Sequence, residues 1–136
     1  MDIKVITLRE AQAEDTDFLW YLLTNRPKHH CISHKEMPCQ EYHADFIKHH
    51  PYYKWWIIEV DGEDYGSVYL TKYLHEIGIH LIKENDGIKE AIVRGMKKRF
   101  SKARLLANVA IDNIEGQKFW ESQGFKKLQV TYELDS

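Results

Sequence analysis

The histidines and cysteines between positions 29 and 43 are the residues whose types most directly suggest chemistry. Cys39 and His43 lie one helical turn apart, and a thiolate with an imidazole is a ligand pair that zinc accepts. The two cysteines, Cys31 and Cys39, are eight positions apart rather than in a paired Cys-x-x-Cys framework. We therefore expect no metal site here, and thiols rather than a disulfide in a reducing compartment.

The aromatic run from Tyr52 to Trp56 suggests a second chemistry, the stacking of nucleic-acid bases. Strand alternation explains the run better, because it places Trp55 and Ile57 on one face of a strand and Trp56 and Ile58 on the other. The net charge of −2 also provides no field that would attract a polyanion. We expect no nucleic-acid partner.

Length and composition set the frame that must position any site. A chain of 136 residues with 43% hydrophobic and 29% charged residues supports one core, so we expect a single domain over 1–136. Its apolar stretches are all shorter than the roughly 20 residues that a membrane helix needs. The start, Met1-Asp2-Ile3-Lys4, leads into patterned sequence rather than a signal peptide, which favours a cytoplasmic location without membrane partners.

Hydrophobic periodicity predicts the order β, α, α, β, β, β, α, β, α, β. Asp61-Gly62 tolerates the positive φ of a tight turn, so the central strands should form an antiparallel meander. The later β-α-β unit requires parallel strands. The sequence thus predicts an α/β (α+β) fold with a mixed, mostly antiparallel central sheet flanked by helices. The strands are placed at 3–8, 54–60, 64–72, 75–82, 104–110 and 125–134, and the helices at 15–23, 40–50, 87–100 and 115–123.

Two stretches resemble the GNAT N-acyltransferases. Residues 108–113 followed by 118–125 are similar to the family's ending, in which a strand gives way to an Asn and then to an aromatic pair and Gly-Phe. Asp61-Gly62 and Gly66, with 76–79 on the next strand, match the family's centre, and the likeness extends over essentially the whole chain. The segment 32–38, with His43, 50–52 and Trp55, resembles a bacterial branch of small GNAT proteins that includes acetyltransferases of sugars and other small molecules.

This resemblance implies an acetyl-CoA-dependent N-acetyltransferase that acts on a small amine, such as an amino sugar or a nucleotide-linked amino sugar, by direct transfer in a ternary complex. In the family, splayed central strands bind the pantetheine arm of the cofactor, and a loop at the next helix start binds its diphosphate. Here that loop keeps Gly87 but has Glu84 at its first position and Lys89 at its last. The implied cofactor-binding residues are Ile79, Leu81, Asn85, Asp86, Gly87, Ile88, Lys89, Asn113 and Phe119.

The resemblance also implies the roles in catalysis. Glu76 is the candidate general base, while the family's acidic tyrosine corresponds to Trp120, whose indole N–H gives up no proton at neutral pH. We therefore expect Tyr132 to act as the catalytic acid, with Tyr69 or unassisted departure of the thiolate as alternatives. Asn113 could contact the cofactor, cap a helix, or do both. The expected acceptor-binding residues are Arg26, His34 and His43.

A competing hypothesis is a catalytically inactive GNAT-fold binding or assembly module that has lost acetyl-CoA binding. Glu84, Lys89 and Trp120 motivate it, because all three depart from the family pattern. A zinc-binding regulatory domain is a more distant alternative. The sequence leaves open whether the protein is a monomer or a homodimer.

Overall fold

The structure is a computed structural model that describes residues 5–24, 47, 50 and 52–135. A 3-10 turn at Ala13–Asp15 precedes the first helix. The strands are β1 (Ile6–Glu10), β2 (Tyr52–Val60), β3 (Glu63–Thr71), β4 (Glu76–Leu81) and β5 (Leu106–Ala107), and the helices are α1 (Thr16–Thr24), α2 (Asp86–Arg99) and α3 (Ile114–Ser122). Of the helix predicted at 40–50, the structure describes Ile47, which is helical, and His50.

The sheet has the order β1-β2-β3-β4-β5. The first three pairs of strands are antiparallel and the β4–β5 pair is parallel. Asp61 and Gly62 join β2 to β3 with φ values of 53° and 85°, the positive values that a tight hairpin turn requires. The predicted meander and the mixed, mostly antiparallel sheet are confirmed.

Helices cover both faces of this sheet, as the alternation in β2 predicts. Trp55 and Ile57 pack with Leu19 and Leu22 of α1 and with Ile47. On the opposite face, a larger cluster joins the strands to α2; it includes Trp56, Ile58, Val68, Leu70, Ile88, Ile92 and Met96. The core therefore consists of two layers separated by the sheet.

Arg9 connects the elements on the β1 side of the sheet. Its guanidinium donates two hydrogen bonds to Asp15, at 2.8 and 3.0 Å, and also contacts Asp64 of β3 at 3.1 Å. Burial alone would raise the pKa of Asp15, but the hydrogen bonds from Arg9 and from the Gln12 N–H, together with the Arg9 charge, lower it instead. Asp15 is therefore held as a carboxylate that ties β1 to the start of α1.

The strand predicted at 125–134 is wrong, because the described residues 125–135 form no strand. Its alternating apolar side chains, Leu128, Val130, Tyr132 and Leu134, are between 60% and 93% exposed. The pattern suits a strand, but a strand also needs a neighbour to pair with. β5 offers little, since it has two residues rather than the seven predicted, and the Ala110 carbonyl beyond it accepts from Asn113 and Gln117 as the chain turns into α3.

Candidate active site

The candidate site lies where β4 and β5 separate. The two strands pair only at Glu76 with Leu106 and at Ile77 with Ala107. Among the residues that the structure describes, no strand pairs with β4 on this side beyond Ile77. Because the His75 carbonyl accepts from Leu106 and the Ile82 N–H is directed to Tyr65 of β3, alternation turns the backbone groups of Ile79 and Leu81 toward this opening.

The opening is a cleft of about 230 Å³. It brings together β4, the residues that follow β5, the start of α2 and one side of α3. Its lining residues are Tyr52, Tyr69, Thr71, Glu76, Ile77, Gly78, Ile79, His80, Glu84, Lys89, Asn108, Val109, Ala110, Asn113, Gly116 and Trp120.

Glu76 lies half-buried at the point where the strands part. Its carboxylate accepts a hydrogen bond from the side-chain amide of Asn108, which follows β5, so this contact bridges the two strands. The Glu76 backbone N–H donates to the Thr71 hydroxyl at 2.7 Å. The candidate base is therefore held from both neighbouring strands, with its carboxylate in the cleft.

Aromatic rings form one wall of the cleft. The Tyr69 ring lies directly over Gly78, where a Cβ atom would come within 2.1 Å of Tyr69 Cζ. Tyr52 stacks on Tyr69 with ring centroids 4.1 Å apart and an angle of 7° between the rings. His80 meets Tyr69 edge-on at 6.1 Å. Gly78 is thus the position that allows the wall to approach β4 so closely.

Lys89, in the first turn of α2, places a cation in the opposite wall. Its ammonium lies 3.2 Å from Oε2 of Glu84 and 4.4 Å from the centroid of the Phe119 ring. The Lys89 side chain is 14% exposed and that of Glu84 is 61% exposed. The lysine therefore offsets one of the two acidic side chains that the sequence places in this loop; the other, Asp86, is exposed.

Two asparagines cap the helices that border the cleft. Asn85 Oδ1 accepts from the Ile88 N–H at the start of α2, and Asn113 Oδ1 accepts from the Gly116 N–H at the start of α3, both at 3.0 Å. A side chain at Gly116 would collide with Asn113, because a Cβ atom there would lie 2.6 Å from Nδ2. The cap role considered for Asn113 is confirmed, and the residue also lines the cleft.

The other predicted cofactor contacts differ in what they present. The side chains of Ile79 and Leu81 pack against the hydrophobic cluster that lies between the sheet and α2. Ile88 is buried in that cluster, Phe119 is buried beneath the Lys89 ammonium, and Gly87 is exposed at the helix start. Ile79 and Leu81 therefore present backbone groups and partly buried side chains to a ligand, whereas the Ile88 side chain is closed off and its N–H is bonded to Asn85.

The predicted catalytic acid is not part of this arrangement. Tyr132 is 90% exposed, lies in the segment after α3 that forms no strand, and does not line the cleft. Trp120 lines the cleft, and its ring packs edge-on against Phe119 and Phe125. The predicted acceptor residues Arg26, His34 and His43, and the other histidines and cysteines of positions 29–43, lie outside the described residues.

Sequence reasoning missed several residues of the cleft. The sequence indicates Asn108 only as part of the terminal motif, and it assigns Tyr52 to strand packing. Thr71 and His80 carry no motif that singles them out. For His80, the clearest signal is its even spacing from Glu76 and Gly78, which places these three residues on one face of β4.

Comparison with known proteins identifies the fold. No family model and no curated protein matches the chain. Among solved structures, a possible acetyltransferase from Clostridium difficile 630 superposes with a TM-score of 0.73 at 16% identity, covering 97% of this chain and 98% of that one. The chain has the GNAT fold. The splayed β4 and β5 strands are the feature of that fold on which the cleft depends.

Two further structures with the GNAT fold carry more specific descriptions. A mutant form of the spermidine N-acetyltransferase SpeG from Vibrio cholerae has a TM-score of 0.71 at 19% identity, with 91% of this chain and 81% of that chain covered. RimL, a ribosomal L7/L12 alpha-N-protein acetyltransferase in complex with coenzyme A, has a TM-score of 0.64 at 15% identity, with 87% of this chain and 78% of that chain covered.

None of the helices in the described part of the chain combines the length and the apolar character that crossing a membrane requires.

Proposed function

We propose that this protein is an acetyl-CoA-dependent N-acetyltransferase that acts on a small amine by direct transfer in a ternary complex. The observation that carries the proposal is the separation of β4 from β5 with the Glu76 carboxylate held at the point of divergence. Structures with the same fold include a spermidine acetyltransferase and a protein acetyltransferase bound to coenzyme A, which supports this class of reaction.

The residues of the cleft fit the acyl donor at both of its ends. The backbone groups of Ile79 and Leu81 face the opening and suit the amides of a pantetheine arm, as the open edge of a strand does. Lys89, in the first turn of α2, supplies a positive charge for phosphate. The donor would contribute an activated thioester, and Asn113 at the start of α3 would lie beside its arm.

In the proposed reaction, Glu76 accepts a proton from the attacking amine as the new C–N bond forms. Asn108 and Thr71 hold the residue in place for this role. When the C–S bond breaks, the leaving thiolate either takes a proton or departs as the anion. For the proton donor we favour Tyr69 over Tyr132, because Tyr69 lines the cleft and Tyr132 does not.

The acceptor side of the cleft suits an amine that arrives as a cation and first releases one proton to water, which frees the lone pair for attack; Glu76 then accepts the second proton as the C–N bond forms. The Glu76 carboxylate complements the charge of the arriving amine, and the stacked Tyr52 and Tyr69 rings border the same cleft. We propose that Arg26, His34 and His43 contribute the remaining contacts, to hydroxyl or carboxylate groups of an amino sugar or a related small molecule.

The test is calorimetric titration of the purified protein with acetyl-CoA, followed by a free-thiol assay on a panel of small amines. We expect micromolar binding of the donor and turnover of at least one amine. Glu76→Gln should reduce kcat by about 100-fold without changing donor affinity. Glu63→Gln, an exposed residue at the start of β3, is the matched control and should leave both quantities unchanged.

Absence of binding at millimolar acetyl-CoA would contradict the proposal. It would favour the second candidate, a binding or assembly module without catalysis, for which the acidic side chain of Glu84 beside the donor site is the supporting observation. Binding without turnover by any amine, including polyamines and amino sugars, would point the same way.

A further inference from the structure

Lys89 is the one lysine or arginine that lines the cleft in the part of the chain that the structure describes. Its side chain is largely buried, with the ammonium over the Phe119 ring. A cation held in this way cannot move far to meet a ligand, so an anion must come to it. The carboxylate that already contacts it, from Glu84, is well exposed to solvent.

The start of α2 has fewer unpaired backbone N–H groups for an anion than an uncapped helix start would have. Asn85 already accepts the hydrogen bond of the Ile88 N–H, which is one of the amides that lack a partner within the helix. Asp86 adds a negative charge in the same turn. A diphosphate would therefore meet two carboxylates, from Glu84 and Asp86, and its main attraction would be to Lys89.

We propose that Glu84 and Lys89 form an exchangeable ion pair, the Glu84–Lys89 latch, which an anionic acyl donor must open in order to bind. This inference rests on the proposed function. Because Glu84 is exposed, its carboxylate returns to water at little cost when the donor's phosphate replaces it. Glu84 then sets how strongly the protein selects a phosphorylated donor over an uncharged one.

The latch has a specific consequence for the ligand. A donor with a diphosphate must displace Glu84 from Lys89 and also lies near its negative charge, whereas pantetheine, which has no phosphate, does neither. Removing the Glu84 charge should therefore strengthen the binding of coenzyme A and leave the binding of pantetheine unchanged. A general change in the shape of the loop would alter the binding of both ligands.

The experiment compares the dissociation constants of coenzyme A and pantetheine by calorimetry for the natural protein, Glu84→Gln, Lys89→Met and Glu90→Gln. Glu90 pairs with Arg94 on the same helix outside the cleft and provides the matched control. We expect Glu84→Gln to tighten coenzyme A binding by about fivefold, which corresponds to about 1 kcal/mol for one like-charge contact in water. Lys89→Met should weaken coenzyme A binding by at least about tenfold, and Glu90→Gln should match the natural protein.

Each outcome separates the latch from the proposed function. Equal affinity of the natural protein and Glu84→Gln for coenzyme A would overturn the latch alone, as would equal changes for coenzyme A and pantetheine. If no variant binds either ligand, the donor site itself is absent and both proposals fail. Thermal melting of each variant ensures that a loss of binding reflects the site, and Glu84→Ala repeats the charge removal if Glu84→Gln unfolds.

Discussion

The β2–β3 hairpin and the β4–β5 pair show two uses of strand pairing within one sheet. β2 and β3 pair from Tyr52 opposite Thr71 to Val60 opposite Glu63 and carry the most buried residues of both faces. β4 and β5 pair at two positions and then part. The hairpin therefore provides stability, while the incomplete pair leaves backbone groups and a carboxylate available to a ligand.

The difference has a local origin in the residues that come after each strand. A two-residue turn at Asp61-Gly62 returns β3 alongside β2, so pairing continues from the turn outward. After Ala107, in contrast, the chain bends toward α3. There the Asn113 backbone N–H and the Gln117 side-chain amide donate hydrogen bonds to the Ala110 carbonyl. Those hydrogen bonds replace the ladder that a longer β5 would have formed with β4.

The largest expected effect tests the hairpin. Ile57→Ala removes a fully buried side chain of β2 and should lower the free energy of unfolding by about 2 to 5 kcal/mol, because it leaves a cavity. Urea denaturation followed by tryptophan fluorescence measures it. Leu106→Ala, in partly buried β5, should cost clearly less. If both variants lost the same free energy of unfolding, the β2–β3 and β4–β5 pairs would contribute equally to stability, which would contradict the contrast drawn above.

A smaller effect is expected where the hairpin meets the cleft. Gly78→Ala puts a Cβ atom into the Tyr69 ring, which must shift and so disturb its stack with Tyr52, and should cost about 1 to 3 kcal/mol. Chemical denaturation gives the cost, and near-ultraviolet circular dichroism reports the disturbed rings. An unchanged aromatic signal would contradict the close approach of Tyr69 to β4.

The next prediction concerns the ion pair of Arg9 with Asp15, which ties β1 to the start of α1. Because the pKa of Asp15 is lowered by folding, its carboxylate stabilises the protein above the unfolded carboxyl pKa of about 3.9, and this contribution is lost as pH falls through the folded value. Asp15→Asn should therefore destabilise the protein by about 1 to 2 kcal/mol at pH 7. The difference from the natural protein should shrink below about pH 4. Stability curves from pH 7 to pH 2 measure it, and a difference independent of pH would refute the charged role.

The smallest effect is a gain in stability in the helix that borders the cleft. Gly95 lies within α2, and a Cβ atom there would have no neighbour within 4 Å. Gly95→Ala should raise the free energy of unfolding by about 0.5 to 1 kcal/mol, because alanine loses less conformational freedom on folding. Thermal melting is sufficient to detect it. Coenzyme A affinity should not change, since Gly95 does not line the cleft.

Much of the fold and part of the site follow from local sequence patterns. Asp61-Gly62 determines the hairpin turn, and the alternation from Trp55 to Ile58 assigns side chains to the two faces of the sheet. Helical spacing predicts α2 within one residue of each observed boundary, at Asp86–Arg99. Sequence reasoning also names Glu76, Lys89 and Asn113, and all three line the cleft. These features depend on neighbours in sequence, which is why one sequence suffices to predict them.

Contacts between residues distant in the chain were decided only by the tertiary structure. Asn108 meets Glu76 across 32 positions, and the stack of Tyr52 on Tyr69 depends on the register of two strands. The segment 125–134 has the pattern of a strand, yet Tyr132 lies in solvent because β5 ends after two residues and leaves little to pair with. Sequence alone determined which segments could become strands and helices. The hydrogen bonds available from distant residues determined which strands paired, and so where the cleft opened.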